Sequence, residues 1–198
     1  MTLESSKTLG GIGAILMVIG PLRGAYTGII GLVGLILVLV AFNGLADHYK
    51  ERRIFNNVIL GVFSAIIGTA IAVAVIVTAA FGMLSVLGIQ ISTWSDWTAL
   101  QNFNWQNFTN WSALAPYVAA IVGALVVLFA FVVVAAIFLR RSLNTLSEKS
   151  GIHMFATTGL LMLIGAILTI IVIGAVLLWI ALILLAIAFF EIKSQAST

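Results

Sequence analysis

The sequence predicts an all-α, polytopic transmembrane helical bundle of about five to six membrane segments with a cytoplasmic N-terminus. Three observations predict it. Of the 198 residues, 63% are hydrophobic and only 8% are charged, whereas a soluble domain carries about 25% charged residues to meet water. The apolar residues come in long runs, several of them reaching the roughly 20 residues needed to cross a hydrocarbon core of about 30 Å. The charges are gathered between those runs, in the pattern that sets topology.

Taken in order, Met1 to Lys7 is short and polar, and no small-residue cleavage pattern follows it, so the segment reads as retained rather than as a removed signal peptide. Residues 9–22 are apolar but short, and Pro21, Arg23 and Gly24 break the run. Residues 25–45 make a full span. Together, residues 9–45 read as a helical hairpin whose first piece is a short tilted span or a re-entrant half. The polar stretch 47–57 follows. Residues 58–89 form one apolar run of 32 residues, longer than one upright span, so it tilts or projects beyond the bilayer near Gly82 and Gly88. Residues 90–115 are a Trp- and Asn-rich loop with no Lys or Arg. Pro116 opens the cleanest span, 116–139, at a first-turn position where its missing N–H is no loss. Residues 140–156 are polar and mildly amphipathic, as in a segment lying on the membrane surface. Residues 157–190 fit either a hairpin broken near Gly165 and Gly174 or one long tilted helix. The whole chain, 1–198, reads as a single membrane domain.

Orientation follows from the basic residues. Lys50, Arg52 and Arg53 form one cluster, and Arg140, Arg141 and Lys149 another. Two spans separate them, so both lie on the cytoplasmic side and the loop 90–115 lies outside. Lys7 agrees, and Arg23 is the one outward exception. A faint echo also runs through the chain: Ile12-Gly13-Ala14-Ile15-Leu16 recurs as Ile164-Gly165-Ala166-Ile167-Leu168, and Ala41-Phe42 as Ala188-Phe189. Either the two ends are related hairpins, or low-diversity apolar sequence matches by chance.

The sequence offers little chemistry. The nine basic residues are spread over several loops, which is not a nucleic-acid footprint. No Cys is present, which excludes disulfides, thiolate metal sites and cysteine catalysis. The expected spans carry no Asp, Glu, Lys or His away from their ends, where ion-coupled carriers and voltage sensors keep such groups. His48 and His153 flank the spans as ordinary interface residues, so no haem or metal site is expected. No catalytic residue and no cofactor site is assigned. The mild polar residues Asn43, Ser64, Thr69, Thr78 and Thr169 read as hydrogen bonding along or between helices.

Small residues are more informative. Gly20, Gly24 and Gly28 fall at intervals of four, as do Ser64, Gly68 and Ala72. On a helix this spacing makes one small face for close packing, within the bundle or against a neighbouring subunit. The outside loop holds two glycan acceptor patterns, Asn107-Phe108-Thr109 and Asn110-Trp111-Ser112. It also carries Trp94, Trp97, Trp105 and Trp111, which suit an aromatic belt at the outer headgroups or a recognition surface for a partner or glycan.

Several runs carry a family likeness. These are Lys7-Thr8-Leu9-Gly10-Gly11-Ile12-Gly13, Ala46-Asp47-His48-Tyr49-Lys50 and Ile54-Phe55-Asn56-Asn57, then Ser142 to Gly151, Phe155, Thr158-Gly159-Leu160-Leu161 and Ile164 to Leu168. With these residues the chain resembles an archaeal family of multi-span membrane proteins of unknown function. The resemblance covers most of the chain except the outside loop, which is particular to this member. It implies an archaeal cell membrane and a compact bundle, and transfers no catalytic residue.

The functional expectation is a non-enzymatic, multi-pass protein of the cell membrane. It would act as an accessory, assembly or scaffold component of a larger membrane or envelope complex, in contact with lipid, with a protein partner or second copy, and with an N-linked glycan. The alternative is a small transporter or channel for a neutral solute. The cysteine-free chain is a clean host for single-cysteine labelling. A membrane-impermeant maleimide should label Asn107→Cys on intact cells and Arg53→Cys only after lysis; the reverse pattern would overturn the orientation.

Overall fold

The computed structural model describes residues 2–20, 28–89, 110–171 and 173–192. Among them are six α-helices and no strand. They are α1 (Leu3–Ile19), α2 (Gly28–His48), α3 (Arg52–Val86), α4 (Trp111–Ser150), α5 (His153–Leu168) and α6 (Ile173–Glu191), with a single 3₁₀ turn at Thr169–Ile171. Five are long and apolar enough to cross a membrane, α5 counted with its turn. At 17 residues, α1 is about 25 Å long and falls slightly short. The chain is an all-α, multi-span membrane protein.

The side chains are sorted as lipid requires. The interior is rich in small residues, with Ala14, Ala41, Ala46, Ala166, Ala181 and Ala188 fully buried. Large branched residues such as Ile29, Leu32, Ile36 and Ile170 face outward. Hydrocarbon offers no hydrophobic drive between helices, so small residues that let backbones approach supply the adhesion.

Element ends follow local chemistry. Thr2 caps α1, its hydroxyl accepting from the Ser5 N–H at 3.3 Å, and Glu4 sits in the first turn where the helix dipole favours an anion. This cap starts α1 within the polar N-terminus rather than at Leu9, and Ser6 is fully buried. Gly88 (φ 81°) and Gly151 (φ 73°) follow the ends of α3 and α4 in the left-handed conformation that closes a helix. Lys50 (φ 53°) does the same after α2 without the freedom of a glycine.

Two expected features are corrected. Helix α4 begins at Trp111, so Pro116 lies inside it rather than opening it. Residues 140–150 are not a separate surface segment but the last turns of α4, and Ser142, Leu143, Leu146 and Ser147 are buried. The Ser142 hydroxyl donates to the Ile54 carbonyl at 2.6 Å. Their apolar stripe faces protein, which amphipathicity alone does not distinguish from a membrane surface.

The described residues form two compact units. The first, Met1–Ala65 with Val132–Thr198, contains α1, α2, α5, α6 and the adjoining parts of α3 and α4. Here α1 packs on α2 where Gly13 meets Gly34: a Cβ on Gly13 would stand 2.7 Å from the Gly34 carbonyl oxygen. α5 packs on α6 where a Cβ on Gly174 would overlap the Gly165 carbonyl oxygen and the Thr169 amide. Residues 157–190 thus contain two helices, and the break falls between Gly165 and Gly174 rather than at either. α6 also packs on α1, with Phe189 over Gly10 and Phe190 over Gly11. Phe189 meets Phe42 and Phe155 edge-on, both at 5.5 Å between centroids. The second unit, Ile66–Phe131, is an antiparallel helix pair with Phe131 on Gly68 and Tyr117 on Gly82. A small cluster of Leu87, Ile89 and Leu114 closes one end.

The glycine contacts make a direct prediction. Gly174→Val should destabilise the protein by about 3 kcal/mol, since backbone on the facing helix must move. Gly123→Ala, with no atom within 4 Å of the added carbon, should be neutral or stabilising by about 0.5–1 kcal/mol through the chain entropy of the unfolded state. Thermal unfolding of the purified variants checks both, and equal melting temperatures would contradict the packing scheme.

Candidate functional site

The residues singled out by sequence are dispersed. Asn110 is exposed just before α4, and its side-chain carbonyl oxygen accepts from the Ser112 hydroxyl at 2.8 Å. Trp111 is 64% exposed at the start of α4. Asn107, Trp94, Trp97, Trp105 and Gly24 lie outside the described residues. Gly20 and Gly28 do not share a helix face, because α1 ends at Ile19 and α2 begins at Gly28. Gly20 is buried close to Gly31, while Gly28 faces no neighbour within 4 Å. In the other triplet Gly68 and Ala72 are buried, Gly68 beneath Phe131, and Ser64 is half-buried.

The polar residues within spans serve the backbone. Thr78 donates to the Ala74 carbonyl at 2.6 Å and Thr169 to the Gly165 carbonyl at 2.9 Å, each one turn back on its own helix. The Trp179 indole N–H, in a span, donates to the Val18 carbonyl at 3.0 Å. Val18 is in the last turn of α1, where carbonyls lack a helical partner. No buried side-chain nitrogen or oxygen among the described residues lacks a hydrogen bond.

Charge collects where α2 turns into α3. Arg52 bridges Asp47 at 3.0 Å and donates to the Asn43 side-chain oxygen at 3.2 Å. Glu51 lies 3.8 Å from Arg53 and 3.9 Å from Lys149 near the end of α4. These exposed pairs each contribute about 0–1 kcal/mol. Tyr49 stacks edge-on with His48 at 5.0 Å, and burial pushes its phenol above the ordinary 10.0. A shallow recess of about 530 Å³ at the start of α5 gathers His153, Thr157 and Glu191. No group of three or more His, Asp or Glu among the described residues is placed to hold a metal ion.

The most developed cavity is in the first unit. It holds about 270 Å³, is open along part of its wall, and is lined by apolar side chains from all six helices, among them Met17, Val38, Val62, Ala135, Met162 and Leu182. Along α4 the lining runs from Val132 to Leu143, about 16 Å of helix axis. Water needs two to four polar partners to stay in such a place, and side chains here offer none. Sequence reading missed this site. Its trace is the set of small residues Ala65, Ala135, Ala136 and Ala166, which read as ordinary packing until six helices converge.

A family model described as a protein of unknown function, DUF996, matches residues 30–183. The uncharacterized protein MJ1644 of Methanocaldococcus jannaschii is 27% identical over 195 residues, covering 98% of this chain and 96% of that protein. No solved structure matches the chain.

Tyr49 gives this charged end a pH signature. With its pKa higher in the folded chain than the unfolded value of 10.0, its contribution to stability is complete below pH 10 and is lost as pH rises through the folded pKa. The melting temperature of wild type should fall more steeply above pH 10 than that of Tyr49→Phe; parallel profiles would remove this role.

Proposed function

Since the chain belongs to the DUF996 family of proteins of unknown function and is an apolar multi-span bundle, we propose that it is a non-catalytic accessory, assembly or scaffold component of a larger complex in an archaeal cell membrane. One observation carries this reading. From Val58 to Val86, α3 runs 29 residues without Asp, Glu, Lys or Arg, about 44 Å along its axis. The hydrocarbon core is about 30 Å thick. Fitting that stretch into lipid alone takes a tilt of about 45°, beyond the usual 0–40°.

Arg52 and Arg53 hold the start of α3 at the membrane surface, because snorkelling cations stay in water. The surplus therefore falls at the far end, beyond about 30 Å from Val58, where Phe81 is 44% exposed. Trp111 is exposed at a similar distance from Arg140 along α4. An apolar surface longer than the hydrocarbon that would cover it calls for protein. This supports a partner subunit or a second copy around the far ends of α3 and α4.

The neutral-solute alternative has less support. Passage of a hydrated solute asks for polar groups along a path, and the 270 Å³ cavity is lined by apolar side chains. The orientation and the glycan at Asn107 or Asn110 remain part of the proposal through the outside placement of the segment before α4.

Extracted from native membranes, the full chain should form a complex of fixed stoichiometry with a second protein or copy. Combined Phe81→Ser and Trp111→Ser should dissociate it, whereas Ile29→Ser with Ile36→Ser, on the exposed face of α2, should not. Wild-type protein isolated only as a monomer, or a complex indifferent to the first pair, would sink the proposal.

A further inference from the structure

We propose that the apolar cavity of the first unit is a binding site for the hydrocarbon tail of one membrane lipid. The site is independent of the partner proposed above. Its lining is apolar on every helix that reaches it, so the occupant must be apolar as well. Its shape is long rather than round. A volume of about 270 Å³ follows α4 from Val132 to Leu143 and α6 from Leu178 to Leu185. Spread along some 16 Å of α4 axis, that volume has the girth of a single hydrocarbon chain. An apolar cavity of about 150 Å³ accommodates benzene, and in proportion this one holds a segment on the order of ten carbons.

The walls are not free to close. α1 and α2 are locked where Gly13 meets Gly34, and α5 and α6 where Gly165 meets Gly174. In both pairs backbone already touches backbone, and α6 is seated on α1 through Phe189 on Gly10 and Phe190 on Gly11, so these four helices cannot draw closer to fill the space. Around the bundle the solvent is itself a medium of hydrocarbon chains. A tail entering the cavity gains dispersion contacts along its lined walls without giving up a hydrogen bond.

The test uses the full chain and two readouts. Extracted from its native membrane with an amphipathic polymer and analysed by mass spectrometry, wild type should retain about one lipid per chain after washing. Ala135→Phe, which fills the cavity, should retain several-fold less. In a fluorinated surfactant, whose tails mix poorly with hydrocarbon, added dodecane should raise the melting temperature of wild type and leave that of the variant unchanged. Where Ala135→Phe does not fold, Ala136→Leu is the milder filling change. Equal lipid retention by wild type and the filled variant, or a wild-type melting temperature indifferent to dodecane, overturns the assignment.

Discussion

Helices no more apolar than the lipid around them cannot be driven together by water, and the rest of this structure depends on that constraint. Contact geometry has to do what hydrophobic burial does in a soluble core. The chain answers with glycine at the points of closest approach. Gly13 faces Gly34, Gly165 faces Gly174, and Gly10 and Gly11 accept the rings of Phe189 and Phe190. In α3, Gly61, Gly68 and Gly82 fall seven and fourteen residues apart; in α4, Tyr117, Phe131 and Phe138 repeat the same steps in reverse. Phe131 lies on Gly68 and Tyr117 on Gly82, while Gly61 lies nearest the Ala135 carbonyl oxygen and Leu139. A seven-residue period keeps one face aligned between two helices that wind slowly around each other. Large set against absent then gives the contact area that equal residues would lose to clashes.

Lipid also forbids idle polar groups. The Trp179 N–H reaches the Val18 carbonyl, an end-of-helix acceptor that water would otherwise have to serve. The Ser142 hydroxyl adds a second donor to the Ile54 carbonyl, linking the end of α4 to the first turn of α3. Threonines at 78, 158 and 169 return their hydroxyls to carbonyls one turn back. Each of these polar groups at membrane depth serves the backbone.

Much of the fold was legible because composition and run length act directly on a chain in lipid. Spans of 20 apolar residues have to be helices, and the hairpin at residues 157–190 was one of two readings that length allowed. What escaped was anything that depends on where a helix stops. Gly20, Gly24 and Gly28 look like one face only if the helix continues past Ile19, and it does not. The spacing of seven in α3 went unread because the spacing of four around Gly68 was the more familiar pattern. Residues 140–150 looked like a surface segment because their stripe of Leu143 and Leu146 has the same period whether it meets lipid or protein. The cavity was the least legible feature, since no single stretch of sequence contains it.

The cavity and the glycine contacts have one origin. A helix pair can be brought to backbone contact at one level or held at side-chain distance along its length, but a bundle of several pairs cannot satisfy every contact at once. With α1 locked to α2, α5 locked to α6, and α6 seated on α1 through Phe189 and Phe190, the distances left between the pairs are set at those contacts and not by the side chains lining the gap. Alanine at 65, 135, 136 and 166 then widens the remaining gap, where leucine at the same positions would narrow it. A soluble protein in this position would collapse or repack, because the only molecule available to fill the space is water, which an apolar wall rejects. In a membrane the available molecule is a hydrocarbon chain, so the same void becomes a place for a guest. The small residues that bind the hairpins together therefore also specify what fits between them.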